Sequence, residues 1–218
     1  MYAFIKRLFD LIVALIFMPI IIVVTLAVWV AVKIEDGGPV FYMAARTGRY
    51  GKPFKMFKYR SMKVNAPDIR LADGSTFNSD DDPRVTKVGK FLRKTSIDEI
   101  PQLINVLIGD MALIGPRPDT PMYLDKYTKE ERVILNVRPG ITGYNQAINR
   151  NTVLTKEKLK NDIYYVQNMS LWFDIKILWM TVCSVLGHKN INRVDVGNNE
   201  TYILESNNSK TLEETETK

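Results

Sequence analysis

Histidine and cysteine are almost absent from this chain. Among 218 residues, Cys183 is the only cysteine and His188 the only histidine. A single cysteine excludes an intrachain disulfide and suits a reducing compartment. A single histidine leaves no material for a His-based zinc site or a Ser-His triad. Cys183 reads as a core or surface thiol, and His188 as a solvated tail residue. No dinucleotide fingerprint, Walker loop or internal repeat occurs. The chain is basic, yet it carries no recognised nucleic-acid motif, so nucleic acid is not an expected partner.

What is present fits one modest domain plus an attachment, with enough chain for a real core. The net charge of +6 is unevenly spread. From Glu200 to Lys218 there are five acids and two lysines, so the remainder is more basic than the whole. A basic body calls for an anionic partner such as anionic lipid or a nucleotide. The polar acidic segment 196–218 reads as a disordered tail.

Leu11 to Val32 carries no charge. At about 1.5 Å per residue it just crosses a hydrocarbon core of roughly 30 Å. The run is too long for a cleaved signal peptide, and no small-residue cleavage site closes it. The plain reading is a spanning anchor. Pro19 sits inside the run and bends a helix. Lys6 and Arg7 lie before it and Lys33 after it, so the positive-inside rule names no side. A helix that enters, bends at Pro19 and leaves on the same face suits both facts.

In the body, Val40–Tyr42 and Phe54–Tyr59 predict short strands around a Gly-rich turn at Thr47–Lys52. Residues 65–82 read as a polar loop. Val85, Val88, Phe91 and Leu92 fall at helical spacing, with Arg84, Lys87, Lys90, Arg93 and Lys94 on the polar face. That face is either solvated or laid on anionic headgroups. Ile100, Leu103, Ile104 and Leu107 predict a packed helix. Further helices are expected over Leu154–Gln167 and Ser170–Val185. In the latter, Trp172 and Trp179 share a face, as in an interfacial helix or an ordinary core helix.

The acids Asp98 and Glu99 carry the chemistry. Ser96-Ile97-Asp98-Glu99 fits a capping box, which is the bland explanation. Pro101 opposes it, because a cap at Ser96 puts the proline too deep in the helix. In either register the acids sit at a helix start, where the partial positive charge keeps carboxylates ionised and attracts phosphate. An ionised Asp can attack phosphorus, and a neighbouring Glu can hold a divalent cation. With no His or Cys cluster, oxygen ligands point to Mg²⁺. Arg117 lies between two prolines, a rigid setting for two parallel bonds to phosphate. Lys58 and Arg60 alternate at strand spacing and can share one face. Arg138 precedes a Pro-Gly turn, and Arg150 follows Asn149.

These residues lie in strings that match a family. KRLFD (Lys6–Asp10), GGPVF (Gly37–Phe41), KYRSM (Lys58–Met62), TSIDEIPQL (Thr95–Leu103), GDMALIGPRP (Gly109–Pro118) and VRPGITG (Val137–Gly143) occur in that family's order. The chain resembles the bacterial sugar transferases, the monotopic polyprenyl-phosphate phosphoglycosyl transferases, from about Lys6 to Lys176. The resemblance implies an α+β, mostly helical fold. It has an N-terminal re-entrant membrane helix-break-helix over residues 1–34. A compact cytosolic catalytic body follows over 35–195, with a short β element and interfacial amphipathic helices. It makes Asp98 the nucleophile and Glu99 its partner at Mg²⁺. Arg117, Lys58, Arg60, Arg138 and Arg150 become the phosphate and substrate contacts. The chain departs from the family at Met18, which replaces a serine, and over Tyr144–Asn151, where sugar contacts are expected.

The implied reaction moves a sugar-1-phosphate from a UDP-sugar to undecaprenyl phosphate, through an aspartyl phospho-sugar, with release of UMP. The place is the cytoplasmic face of the bacterial inner membrane, with downstream glycosyltransferases as further partners. The competing reading is a non-catalytic membrane-anchored scaffold that binds anionic lipid or nucleotide.

Overall fold

Helix α1 (Tyr2–Glu35) takes up the whole apolar run. In the computed structural model, which describes residues 1–71, 82–149, 155–186 and 201–204, its helical backbone continues through Pro19. The expected helix-break-helix is therefore one unbroken helix. Proline removes one N–H and frees the Leu15 carbonyl, a cost of roughly 3 kcal/mol in a helix interior. Contacts along both arms offset it. Near the start, Tyr2 and Lys6 donate to Asp174 at 2.8 and 2.9 Å. Arg7 donates to the Val106 and Leu107 carbonyls, and Asp10 accepts from the Leu113 N–H. Near the end, the Thr25 and Tyr59 hydroxyls share a hydrogen bond of 2.6 Å, and Glu35 accepts from the Lys87 and Val88 N–H groups. A helix about 50 Å long is thus fastened to one body at both ends. Its other faces stay bare and apolar, with Leu15, Ile16, Ile22, Val23 and Leu26 exposed.

Strands β1 (Phe41–Thr47) and β2 (Pro53–Tyr59) form an antiparallel hairpin, in register from Phe41 opposite Tyr59 to Thr47 opposite Pro53. The Gly-rich turn falls where the sequence places it, and β1 runs on to meet it. Helix α2 (Lys87–Thr95) is capped by the Thr86 side chain, which accepts from the Gly89 N–H. A Cβ on Gly89 would sit 1.9 Å from the Ser61 carbonyl oxygen, so the absent side chain lets α2 lie against the end of the KYRSM segment. Arg84 is not on the helix's polar face. It is buried ahead of α2, forked onto Asp82.

Helix α3 (Gln102–Ile108) buries a different face from the one its apolar spacing predicts. Gln102, Asn105 and Val106 are fully covered, while Ile100, Leu103, Ile104 and Leu107 are half-buried. The Asn105 amide explains this. Its oxygen accepts from the Phe57 N–H at 2.9 Å and its nitrogen donates to the Lys55 carbonyl at 2.8 Å. The buried amide is satisfied, and α3 is tied to β2.

Strands β4 (Ala112–Ile114) and β5 (Gly140–Thr142) pair in parallel. Helices α4 (Tyr144–Asn149), α5 (Thr155–Gln167) and α6 (Leu171–Leu186) pack around them. Between β4 and β5 lie two 3₁₀ stretches, Pro121–Lys126 and Glu131–Asn136. One core joins Ala14 of α1, Met56 of β2, Val106 of α3, Ile114 of β4, Tyr165 of α5 and Ile177 of α6. On α6, Trp172, Ile175, Trp179 and Val182 remain exposed. A further pair joins β3 (Asp68–Leu71) to β6 (Thr201–Leu204), within the C-terminal segment 196–218. The middle of the expected 65–82 loop, at 72–81, lies outside the described residues, as does Arg150.

Candidate active site

The carboxylate pair is placed by a sharp reversal between α2 and α3. Ser96 ends α2 with φ 59° and ψ 16°, the left-handed conformation. The chain then makes a 3₁₀ turn, Ile97–Glu99. Ile97 and Ile100 pack into a cluster with Val28 and Val32 of α1, Tyr59 and Leu92. Pro101 supplies the cap of α3, which starts at Gln102. The acids thus lie one short turn ahead of α3 rather than within its first turn. The capping box does not form, because Ser96 makes no side-chain cap bond and the Glu99 carboxylate is engaged elsewhere.

Lys58 of β2 donates to Glu99 Oε1 at 2.7 Å. The Asn105 clamp on the neighbouring Phe57 N–H holds that stretch of β2 against α3, which follows the acids. Arg117 reaches Glu99 from the other side, with Nη2 2.5 Å from Oε1 and Nη1 3.3 Å from Oε2. Its Pro-Arg-Pro turn is stitched to the VRPGITG segment. The Gly115 N–H donates to the Thr142 carbonyl, and the Gly140 N–H donates to the Pro116 carbonyl. A Cβ on Gly140 would lie 2.1 Å from the Gly115 nitrogen, so the two backbones can meet only at glycine.

The two acids differ electrically. Burial opposes the charge on Glu99, but Arg117 and Lys58 together hold its carboxyl far below the ordinary range. The same attraction raises the Arg117 guanidinium well above its usual value. Asp98 is 8% exposed, and among the described residues no hydrogen bond reaches its carboxylate. Burial pushes it up, to about 6, with the Glu99 charge adding and Lys58, Arg93 and Arg117 opposing. Glu99 is thus a permanent anion that anchors two cations. Asp98 is an unengaged carboxylate beside them. With Asp98 ionised as well, the two carboxylates balance Lys58 and Arg117, and half-buried Arg93 is a further cation close enough to act on Asp98.

The structure brings Lys58, Asp98, Glu99 and Arg117 together and sends two expected residues elsewhere. Arg60 forks onto Asp36 at 2.6 and 2.7 Å and also donates to the Pro39 and Met62 carbonyls. It locks the end of α1 to the hairpin. Arg138 donates to the Gly109 carbonyl at the far end of α3, beside Arg7, where cations suit the helix dipole. Arg93 is the residue that sequence reasoning set aside. Helical spacing puts it on the polar face of α2, yet it is half-buried, bonds the Ser61 hydroxyl and acts on Asp98 through its charge. Among the described residues no group of three or more His, Cys, Asp or Glu could hold a metal ion. The carboxylates within reach of a cation here would be Asp98 and Glu99, and Lys58 and Arg117 already engage both Glu99 oxygens. Two acids completed by phosphate and water is a set that fits Mg²⁺.

Among the described residues one helix, α1, is long and apolar enough to cross a membrane, by length and composition. A Bacillus subtilis uncharacterized sugar transferase, EpsL, is 42% identical over 193 residues, 87% of this chain and 91% of that protein. An Aeromonas hydrophila UDP-N-acetylgalactosamine-undecaprenyl-phosphate N-acetylgalactosaminephosphotransferase is 40% identical over 85% of this chain. An Escherichia coli UDP-glucose:undecaprenyl-phosphate glucose-1-phosphate transferase is 44% identical over 81% of it. The chain spans less than half of those two relatives, 44% and 39% of their lengths. The bacterial sugar transferase family matches residues 1–188. With the paired acids, their two cations and the stitched proline turns all inside that match, the chain belongs to the bacterial sugar transferase family.

Proposed function

We propose that the protein transfers a sugar-1-phosphate from a UDP-sugar to undecaprenyl phosphate, as the first membrane step of a polysaccharide or glycoconjugate. The observation that carries this reading is Asp98, buried and unbonded next to a glutamate fixed by two cations. The Asp98 carboxylate oxygen attacks the phosphorus bearing the sugar. The bond from that phosphorus to the bridging oxygen breaks, and UMP leaves with the electron pair. A phosphate oxygen of the lipid then attacks the aspartyl phospho-sugar. The aspartyl P–O bond breaks, Asp98 is restored and the lipid diphosphate-sugar is released.

Lys58 and Arg117 hold the diphosphate and offset the charge that develops on it. Bound Mg²⁺ would supply further charge neutralisation on the phosphates, with Asp98 and Glu99 as the protein's carboxylates. The names of the Aeromonas and Escherichia relatives support both substrates.

The same reading lays α1 along the cytoplasmic leaflet of the inner membrane, with its bare apolar faces in the lipid and both of its ends on the cytoplasmic side. A spanning helix carries one end away from the body, whereas both ends of α1 are bonded to it. Exposed Trp172, Ile175 and Trp179 on α6 and Phe91 on α2 suit the interface. Downstream glycosyltransferases would use the product. The test is UMP release from a panel of UDP-sugars, with and without undecaprenyl phosphate. Turnover of one sugar supports the enzyme. Binding of nucleotide or lipid with no UMP released from any sugar leaves the scaffold reading.

A further inference from the structure

Arg117 depends on its neighbours for its position. Among the described residues its backbone makes no hydrogen bond, and Glu99 is its side chain's hydrogen-bond partner. Upstream, Gly115 and Pro116 are bonded to β5. Downstream the turn ends on Asp119, which is tied from three directions. The Asp119 carbonyl accepts from the Thr47 N–H, at the end of β1, at 2.9 Å. One carboxylate oxygen accepts from the Tyr127 hydroxyl at 2.6 Å, and the other from the Lys158 ammonium of α5 at 2.5 Å. Tyr127 belongs to a small apolar cluster with Ile134 and Leu159, apart from the main core. The two 3₁₀ stretches and α5 build that cluster, and it holds none of the four residues gathered at the site. Asp119 is its polar link to the Pro-Arg-Pro turn.

We propose that Asp119 is a positioning residue for the reaction: clamped by Tyr127 and Lys158, it fixes the downstream end of the Pro-Arg-Pro turn and so aims the Arg117 fork. The inference rests on the reading of Arg117 as a phosphate contact and adds what holds it in place. Only Pro118 separates Arg117 from Asp119. A proline fixes its own φ and restricts the residue before it to extended backbone, so the two residues move together. Two Cα steps leave them at most about 7 Å apart. A shift of Asp119 is therefore a shift of Arg117, and a bidentate contact tolerates little of it. The clamp resists such a shift because it is charge-assisted and mostly covered, with the Lys158 and Asp119 side chains 14% and 19% exposed. The Asp119 charge also acts on the Arg117 guanidinium, in the same sense as Glu99.

The test is a double-mutant cycle on the full chain in nanodiscs, read by initial-rate UMP release and by equilibrium binding of UMP, which carries a phosphate for Arg117. Tyr127→Phe removes one hydroxyl from the clamp and leaves the apolar cluster packed. It should lower kcat/KM by about three- to tenfold, the worth of one hydrogen bond, and weaken UMP by a similar factor. Lys158→Met should do at least as much. Asp119→Glu, which keeps an anion for both donors, should recover most of what Asp119→Ala loses. In an Arg117→Ala background, Tyr127→Phe should have no further effect on either readout, because the group it aims is gone. A clamp that serves the fold alone would lower the melting temperature and act equally in both backgrounds. Equal factors in the two backgrounds therefore overturn the proposal, as do unchanged kinetics and UMP affinity in Tyr127→Phe and Lys158→Met. The enzyme reading fails separately. If the wild type binds UMP but releases none from any UDP-sugar, that reading is sunk and the binding cycle alone decides the clamp. Absence of UMP binding as well overturns both.

Discussion

Arg117→Lys tests whether the fork or only the charge matters. In the native site the guanidinium spans both Glu99 oxygens, at 2.5 and 3.3 Å, while Lys58 holds Oε1 at 2.7 Å. A lysine at 117 keeps the charge but bonds one oxygen at a time, and it competes with Lys58 for Oε1. The loss is about one charge-assisted hydrogen bond, ~1.5–3 kcal/mol. Removed from the transition state, that lowers kcat/KM by about tenfold to somewhat over a hundredfold. The assay is initial-rate UMP release at saturating undecaprenyl phosphate, with circular dichroism to confirm folding. Arg117→Ala should fall further, because it also leaves half-buried Glu99 with one cation. Kinetics for Arg117→Lys within twofold of wild type would refute the bidentate role and leave Arg117 as a simple source of positive charge.

Asp98 must be ionised to attack, and burial raises its pKa to about 6, so kcat/KM should fall as pH drops through that region and level off above it. Because Lys58 opposes that rise, Lys58→Met should move the acid limb to higher pH, and a limb that stays put would remove Lys58 from the electrostatics. Asp162 is fully buried with its pKa raised to about 7, so the folded state binds a proton that the unfolded chain loses near 3.8. Stability should therefore fall as pH climbs from about 4 to about 7, by as much as ~4 kcal/mol. Asp162→Asn should flatten that slope in urea titrations, and an unaltered slope counts against it. Cysteines at exposed Phe4 and Ile34, in a Cys183→Ser background, should both escape an impermeant thiol reagent in intact cells and react after lysis. Labelling at position 4 from outside would mean that α1 spans.

The site was legible where local spacing decides position. Asp98 and Glu99 adjoin in sequence, Arg117 is pinned by its prolines, and Lys58 sits on a strand whose hairpin partner is set by a Gly-rich turn. Arg60 shows where that logic stops. It has the parity of Lys58, but β2 ends at Tyr59, so the two-residue period no longer aims it, and the Asp36 carboxylate captures it. The Pro-Gly turn after Arg138 suggests a phosphate ligand, yet the open carbonyls at the end of α3 hold it. The apolar spacing of α3 also misjudged its buried face, because Asn105 earns its place by bonding β2 rather than by hydrophobicity. Pro19 predicted a break that tertiary contacts on both arms of α1 override. None of these four effects is local in sequence.

The central claim is a covalent bond to Asp98. Wild-type protein mixed with its UDP-sugar, in the absence of undecaprenyl phosphate, should release one equivalent of UMP and gain the mass of one phospho-sugar. Proteolysis should place that mass on the peptide containing Asp98, and adding undecaprenyl phosphate should discharge it. Asp98→Asn should fold, bind UMP and gain nothing. Turnover without any protein-bound phospho-sugar, or a full burst of UMP from Asp98→Asn, would contradict the account.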